Sequence, residues 1–348
     1  MSHRLRTSLS TVAAGVVIVS LSAVPAVAQS DAPRTAWGQP DLQGVWDFRS
    51  ITPLQRPERL ENQEFLTEEE AAELEQAAVA RDAAAWDREA RRTEAGGNVG
   101  AYNNFWMDRG QKAVGTRRTS LIVDPPDGRL PPLVPNVPRQ VASLDVDLPG
   151  ERPVRYRAGG IGVDGPEDRG VGVRCILGFN SGPPIMPSGY NNNMQLFQTP
   201  EHVVVLTEMV HDARIIPLDG RAHLPEEVQQ WNGDSRGHWD GDTLVVETTN
   251  FTGKTASFND NITSAIGTGE TLHLRERFTR VDAETLLYEY TVEDPTVFTR
   301  PFTVAHPMRK NLGQMFEYAC HEGNYGMTNM LTGARVQEQA ADDGARPD

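Results

Sequence analysis

The chain has 348 residues, with 33 Lys and Arg against 48 Asp and Glu, which gives a formal net charge of −15. A chain this acidic is repelled by nucleic-acid phosphates and by anionic lipid headgroups. Nucleic acid and the membrane surface are therefore excluded as predicted partners, and a small molecule remains as the predicted ligand or substrate.

A secretory signal peptide is predicted at residues 1–28. The basic residues Arg4 and Arg6 precede a short apolar run, and Ala26-Val27-Ala28 supplies the small-x-small cleavage pattern. The apolar run is shorter than the roughly 20 residues that cross a bilayer. We therefore expect an exported protein, periplasmic or secreted, that leaves the membrane after cleavage and begins at Gln29.

Residues 29–115 are predicted to form an N-terminal extension with a single helix at about 67–92. Thr67 and Glu70 make a capping box, in which each side chain satisfies a backbone N–H at the start of the helix. Alanine and charged residues that favour helix follow. The large apolar residues form only a thin stripe, so we expect a surface helix, and a homo-oligomer through this helix is a predicted arrangement.

Residues 116–336 are predicted to form a β-rich domain. Short apolar runs are separated by polar turns with no helix between them, and Asp240-Gly241 between two such runs is a strong hairpin signal. The pattern favours a mainly β fold, an antiparallel meander that forms a lipocalin-like barrel or sandwich. The polar residues 337–348 are predicted to be a disordered tail.

Cys175 and Cys320 are the two cysteines of the chain. In the oxidising compartment that an exported chain reaches, such a pair tends to form a disulfide. Two separate buried thiols, packed as small apolar groups, are the alternative. We predict the disulfide.

Residues 233–242, with the sequence GDSRGHWDGD, contain the G-x-S-x-G pattern of a hydrolase nucleophile elbow. An elbow needs a strand before the serine and a helix after it. A hairpin strand is predicted after Gly237 instead, so Ser235 is interpreted as a loop hydroxyl rather than a nucleophile. The aspartates of this stretch lack the spacing of a calcium loop, and H-E-x-x-H is absent. No metal and no cofactor is predicted.

Three loops at strand ends are predicted to meet at one site: 211–214, 234–238 and 321–325. His211 and His321 are the preferred acid–base pair, and Arg214 or Arg236 is the predicted anchor for a developing anion. The predicted catalytic residues are His211, His321, His238, Asp212 and Glu322, and the predicted substrate-binding residues are Arg214, Arg236, Tyr190, Asn192 and Tyr325.

Two functions compete at this stage. One is an enzyme, a lyase, isomerase or hydrolase, that acts on a small, largely apolar substrate by histidine acid–base chemistry. The alternative is a non-catalytic, lipocalin-like ligand-binding protein. Clustering of the histidines with Asp212, Arg236 and Glu322 in one cavity favours the enzyme, and an apolar cavity with scattered histidines favours the binding protein.

Three segments resemble a widespread family of exported bacterial proteins to which no activity is assigned. They are residues 37–46 (WGQPDLQGVW), 233–251 (GDSRGHWDGDTLVVETTNF) and 318–325 (YACHEGNY). This resemblance implies export and a shared fold over most of the mature chain, and it implies no catalytic role for any residue. Separately, Gly44-Val45-Trp46 resembles the Gly-x-Trp signature of the first lipocalin strand, which implies a lipocalin-like fold.

Overall fold

A computed structural model describes residues 32–87, 106–135, 165–166, 171–178, 180–252 and 270–344, together with the backbone of 139–141, 256–261 and 264–267. The signal peptide predicted at 1–28 lies outside the described residues. So do positions 88–92 of the predicted helix and the last four positions of the tail.

The protein is mainly β, as predicted, and two α-helices lie among the described residues. The strands are β1 (Gly44–Asp47), β2 (Ile122–Asp124), β3 (Arg139–Val141), β4 (Asn193–Gln198), β5 (His202–Thr207), β6 (Ala213–Pro217), β7 (Asp234–Asp240), β8 (Thr243–Thr249), β9 (Ala256–Asn261), β10 (Ser264–Gly267), β11 (His273–Arg280), β12 (Thr285–Glu293) and β13 (Phe302–Asn311). The helices are α1 (Glu68–Trp86) and α2 (Tyr325–Gly344).

Ten of these strands form one antiparallel sheet in the order β6-β5-β4-β1-β13-β12-β11-β8-β7, with β2 paired to β13. The hairpin predicted at Asp240-Gly241 is confirmed, because Asp240 of β7 pairs with Thr243 of β8. The order departs from a simple meander at β1, which lies between β4 and β13 and joins two hairpin systems. Strands β3, β10 and β9 form a separate sheet.

Of the two predicted forms, barrel or sandwich, a closed barrel is not formed, because the ten-stranded sheet curls without closing. Its edges are β6 and β7, and no hydrogen-bonded ladder joins them among the described strands. The edges nevertheless approach closely. A Cβ atom added to Gly237 of β7 would lie 2.9 Å from Cγ2 of Ile216 in β6, so only glycine fits at this point of the seam.

The core lies on the concave side of the curled sheet, where alternate residues of each strand point inward. In β12 these are Leu286, Tyr288, Tyr290 and Val292, all essentially inaccessible to solvent. Trp46 of β1 is fully buried and donates from Nε1 to the carbonyl oxygen of Leu42 at 2.9 Å. The guanidinium of Arg280 lies 4.7 Å from the Trp46 ring centroid. This cation–π contact fixes the N-terminal strand against β11.

The predicted surface helix is confirmed as α1. The Thr67 hydroxyl accepts from the Glu70 N–H at 3.2 Å, and the Glu70 carboxylate accepts from the Thr67 N–H at 2.8 Å, so the capping box is complete. Only Ala71 and Ala78 of this helix are buried. Neither helix has a stretch that is apolar and long enough to cross a bilayer, within the part of the chain that the structure describes.

The second helix corrects the predicted tail. Residues 337–344, expected to be disordered, form the last eight residues of the 20-residue helix α2. Their sequence, QEQAADDG, is polar but rich in residues with good helix propensity, so composition alone did not separate a surface helix from a disordered segment.

The predicted disulfide is confirmed. Cys175 and Cys320 are bonded, with their Cα atoms 5.7 Å apart and 145 positions apart in sequence. The bond ties the segment 171–178 to the turn that precedes α2.

We expect the loss of this disulfide to lower the free energy of unfolding by about 2–5 kcal/mol, because the unfolded chain regains the entropy of a long open loop. Guanidinium denaturation of the wild type and of a Cys175→Ser/Cys320→Ser variant measures the difference. Dithiothreitol should destabilise the wild type and leave the double variant unchanged. Equal midpoints for the two proteins would contradict the expectation.

Candidate functional site

The loop between β5 and β6 holds His211 in an unusual backbone conformation. Val210 has a φ of 65° and His211 a φ of 43°, in the left-handed region that is costly for residues other than glycine and especially for a β-branched one. Nδ1 of His211 lies 3.0 Å from the carbonyl oxygen of Tyr318. Because a carbonyl oxygen only accepts, Nδ1 carries the proton in this contact, and Nε2 is the basic nitrogen of the neutral ring.

Two other predicted residues belong to this region: Asp212 lies in the loop, and Tyr190 lies near it. The Asp212 carboxylate accepts a hydrogen bond from the Asn232 side chain. The Tyr190 ring stacks on Tyr318, with centroids 6.4 Å apart. Loop 211–214 thus meets the segment that leads into the disulfide.

The remaining predicted acid–base groups are not brought to His211 by any contact. His321, Glu322 and Tyr325 are exposed, and no hydrogen bond or ion pair links their side chains to His211 or Asp212 in the described part of the chain. His238 is exposed in β7, beside the buried Gly237. No side-chain hydrogen bond or ion pair joins these histidines to His211 in the described part of the chain, although the Tyr318 contact places the segment before His321 beside the His211 loop.

The Arg236 side chain in β7 is held by neighbouring residues of this protein. It donates to the Asp234 carboxylate at 2.7 Å and to the carbonyl oxygen of Ala222 at 3.1 Å. The same carboxylate also contacts Nδ1 of His223 at 2.9 Å. Asp234 is buried, so these partners neutralise and satisfy it.

Arg214 reaches into the interior of the sheet instead of presenting a cation to a ligand. It forms a two-pronged ion pair with Glu276 of β11, with one Nη2 to Oε1 distance of 2.9 Å, and the Glu276 side chain is fully buried. The hydroxyl of Tyr288 donates to Glu276 at 2.7 Å, and the Ile185 N–H donates to the Tyr288 oxygen at 3.1 Å. Burial raises the pKa of the Tyr288 phenol well above its ordinary value, so this group stays neutral.

Ser235 lies within β7 rather than in a loop, which corrects its predicted position. Its Oγ is 2.9 Å from the Thr248 hydroxyl and 3.4 Å from Nη1 of Arg214, and the residue is buried. No helix follows it, because β7 continues to Asp240. The geometry matches a hydroxyl that lies against the interior ion pair and not a nucleophile elbow.

The Asn192 amide has its hydrogen-bonding groups occupied by neighbouring loops. Its oxygen accepts from the Ser188 N–H at 2.8 Å, and its nitrogen donates to the carbonyl oxygen of Asp108 at 2.8 Å. The residue is fully buried. This side chain therefore fixes loops in place.

Sequence reasoning missed three buried polar residues: Glu276, Tyr288 and His306. His306 of β13 is 1% exposed, and neither ring nitrogen has a hydrogen-bond partner among the described residues. Burial lowers the pKa of His306 from 6.5 to about 4, so the ring is neutral at pH 7. A signal for these residues existed, because each occupies an inward position of the period-two pattern between two apolar residues.

A surface cavity of about 580 Å³ lies outside the sheet, where α1, the segment 107–115 and the outer faces of β1 and β13 meet. We call it the Arg49 cavity. Its lining comprises Asp47, Arg49, Asp82, Trp86, 107–115, Thr285 and 307–309.

Arg49 is the central ion-pair partner in this wall. It donates to the Asp47 carboxylate at 2.8 and 2.9 Å and to the Asp108 carboxylate at 2.6 Å. Those two hydrogen-bonded acids raise the pKa of Arg49 above its ordinary range. Gly110 has a φ of 79°, and a Cβ there would lie 2.8 Å from the Arg49 Cβ, so glycine lets the loop pass against the arginine.

Comparisons with known proteins give no relative. No protein-family model, no curated protein and no solved structure matches the chain. The resemblances to an exported bacterial family and to lipocalins therefore stay predictions. Within the described ranges, no group of three or more His, Cys, Asp or Glu side chains is arranged to hold a metal ion.

We expect Glu276→Gln to lower the free energy of unfolding by about 3–5 kcal/mol, because Arg214 is then left as a buried, uncompensated charge. The matched control is Asp240→Asn, which removes an exposed partner of Arg277 at 3.4 Å and should cost less than about 1 kcal/mol. Urea denaturation compares the two variants. Similar losses of unfolding free energy in the two variants would contradict the expectation that the buried ion pair stabilises the fold more than the exposed one. Replacing Arg214 and Glu276 together by Met and Leu should recover part of the loss.

His306 should make stability depend on pH. The unfolded state takes up a proton below about pH 6.5, whereas the folded state resists protonation to about pH 4. The free energy of unfolding should therefore fall as pH decreases, by about 2 kcal/mol from this group between pH 7 and 5. Urea denaturation of wild type and His306→Gln at both pH values isolates this contribution. His238→Gln, at an exposed position, should keep the wild-type slope, and an unchanged slope in His306→Gln would refute the assignment.

Proposed function

We propose that this protein is an exported, non-catalytic binding protein that holds a small molecule in the Arg49 cavity. The observation that carries the proposal is the cavity itself, whose volume of about 580 Å³ lies in the range of small-molecule sites. Five separate parts of the chain supply its walls.

The predicted acid–base side chains of His211, His238 and His321 share no hydrogen bond or ion pair among the described residues, and this favours binding over catalysis. His238 and His321 are exposed, and Arg236 is taken up by Asp234. An acid–base mechanism needs its groups within hydrogen-bond reach of one substrate. Of the three predicted histidines, only His211 has a hydrogen bond that orients its ring among the residues that the structure describes.

The packed interior also supports a site on the outside. Trp46, Ile185 and Tyr288 are buried inside the curled sheet, and the Ile185 N–H donates a hydrogen bond to the Tyr288 oxygen. A ligand in the Arg49 cavity meets charged groups beside apolar ones, so the proposed ligand carries a polar group in addition to the apolar body first expected.

Export is part of the proposal. The disulfide Cys175–Cys320 fits an oxidising compartment such as the periplasm or the extracellular space. The acidic net charge of −15 fits a ligand that is neither nucleic acid nor membrane surface.

Filling the cavity tests the binding proposal. In a thermal-shift screen of small organic molecules, compounds that raise the Tm of the wild type should lose the effect in Met107→Trp, because the indole occupies the site. Leu312→Trp, at a position that is 86% exposed and outside the cavity, is the matched control and should keep the shifts. Equal shifts in Met107→Trp and the wild type would contradict binding in this cavity.

Acid–base catalysis at His211 is the second candidate function. It is favoured by the left-handed backbone of Val210 and His211, since such conformations concentrate at functional sites. It is also favoured by the Tyr318 contact, which leaves Nε2 as the basic nitrogen.

If His211 is catalytic, His211→Gln should lower turnover of any substrate found by about a hundredfold or more, the usual contribution of a general base. His202→Gln, at the start of β5, provides the control and should keep wild-type turnover. Equal turnover in all three proteins would eliminate His211 as the base.

A further inference from the structure

We infer that the ligand of the Arg49 cavity is an organic monoanion, a carboxylate carried on an aromatic body. This inference rests on the proposed function and adds the chemical class of the ligand. It follows from the charges that line the cavity and from the apolar groups beside them.

The lining residues include four bases, Arg49, Arg109, Lys112 and Arg309, against three acids, Asp47, Asp82 and Asp108. The cavity wall is therefore positive by one charge in a protein whose net charge is −15. A concave surface of one sign concentrates ions of the opposite sign. One excess positive charge matches one carboxylate.

The acids of the wall already have partners. Asp47 and Asp108 accept from Arg49, and Asp82 accepts from Gln111 at 3.1 Å. Lys112 is paired with Glu75 at 2.6 Å. These contacts occupy the acids and two of the bases, Arg49 and Lys112.

Arg109 and Arg309 are the two bases that keep donors for a ligand. Neither has an ion-pair or hydrogen-bond partner for its side chain within the described part of the chain. They come from different walls, the segment 107–115 and β13, where Arg309 lies directly across from Asp47 of β1. A guanidinium binds a carboxylate through two parallel N–H donors, which suits either arginine to this ligand.

Apolar groups beside the arginines provide the contact for an aromatic body. Trp86, Met107 and Pro307 of β13 line the cavity. An indole ring stacks on an aromatic ligand, and a thioether packs against the edge of one. A carboxylate on a benzene ring can bind the arginines through its charge and the apolar side chains through its ring.

Isothermal titration calorimetry of the mature, oxidised protein with four probes tests the inference: benzoate, its neutral isostere benzamide, acetate and inorganic phosphate. We expect benzoate to bind at least about tenfold more tightly than the other three, because only benzoate combines the charge with the ring. We expect Arg109→Gln and Arg309→Gln each to weaken benzoate by about tenfold or more. Arg59→Gln makes the same charge change outside the cavity lining and should leave benzoate binding unchanged.

Each other result has a defined meaning. If benzamide binds as tightly as benzoate and the arginine variants are unaffected, the protein binds small molecules but the anion assignment is wrong. If acetate or phosphate binds as tightly as benzoate, the aromatic part of the assignment is wrong. If no probe binds and the thermal-shift screen finds no compound sensitive to Met107→Trp, the proposed function itself fails.

Discussion

The ion pair between Arg214 and Glu276 is the interaction on which the shape of the sheet depends. It crosses the interior from the edge strand β6 to β11, and Arg214 also approaches Ser235 on the other edge strand. The edges have no ladder between them, so this buried pair and the packing around Gly237 hold the seam. Removing two charges from water is costly, and the hydrogen bond from Tyr288 offsets part of that cost.

The same network explains why ligand binding is proposed outside the sheet. Glu276 and Tyr288 occupy the interior together with large apolar side chains, and the loop carrying Ile185 is bonded to them. A ligand that bound inside the sheet would have to displace packed side chains and would leave Glu276 as a buried charge without its partners. On the outer face of β1 and β13, α1 and the segment 107–115 leave a concave surface.

The sequence predicted features whose signals are local. The capping box at Thr67 and Glu70 marked the start of α1, Asp240-Gly241 marked a hairpin, and two cysteines in a chain predicted to be exported indicated a disulfide. The unclosed edges could not be predicted, because strand order depends on pairings between distant segments. The helical state of residues 337–344 was missed because polar composition suits a surface helix and a disordered tail equally.

The candidate site was predicted less well than the fold. His211 and Arg214 are three residues apart, yet one lies in a half-buried loop and the other points into the core. Their closeness along the chain suggested that they serve the same site. In the structure, Arg214 is held in the core by Glu276 and does not share a site with His211. The Arg49 cavity was invisible in the sequence for the opposite reason. Arg49 and Arg309 are far apart in sequence and become neighbours only through the pairing of β1 with β13.

That pairing also governs when the protein can fold. β1 is synthesised early, but its two neighbours in the sheet are β4, at Asn193–Gln198, and β13, at Phe302–Asn311. Contacts between such distant segments form slowly, since the intervening chain must first be ordered. A nascent chain therefore keeps its first strand unpaired on one side until almost all of its residues have left the ribosome. Under the proposed export, in which the chain would pass unfolded through a translocation channel, this delay would keep the chain competent for passage and postpone the finished sheet to the far side.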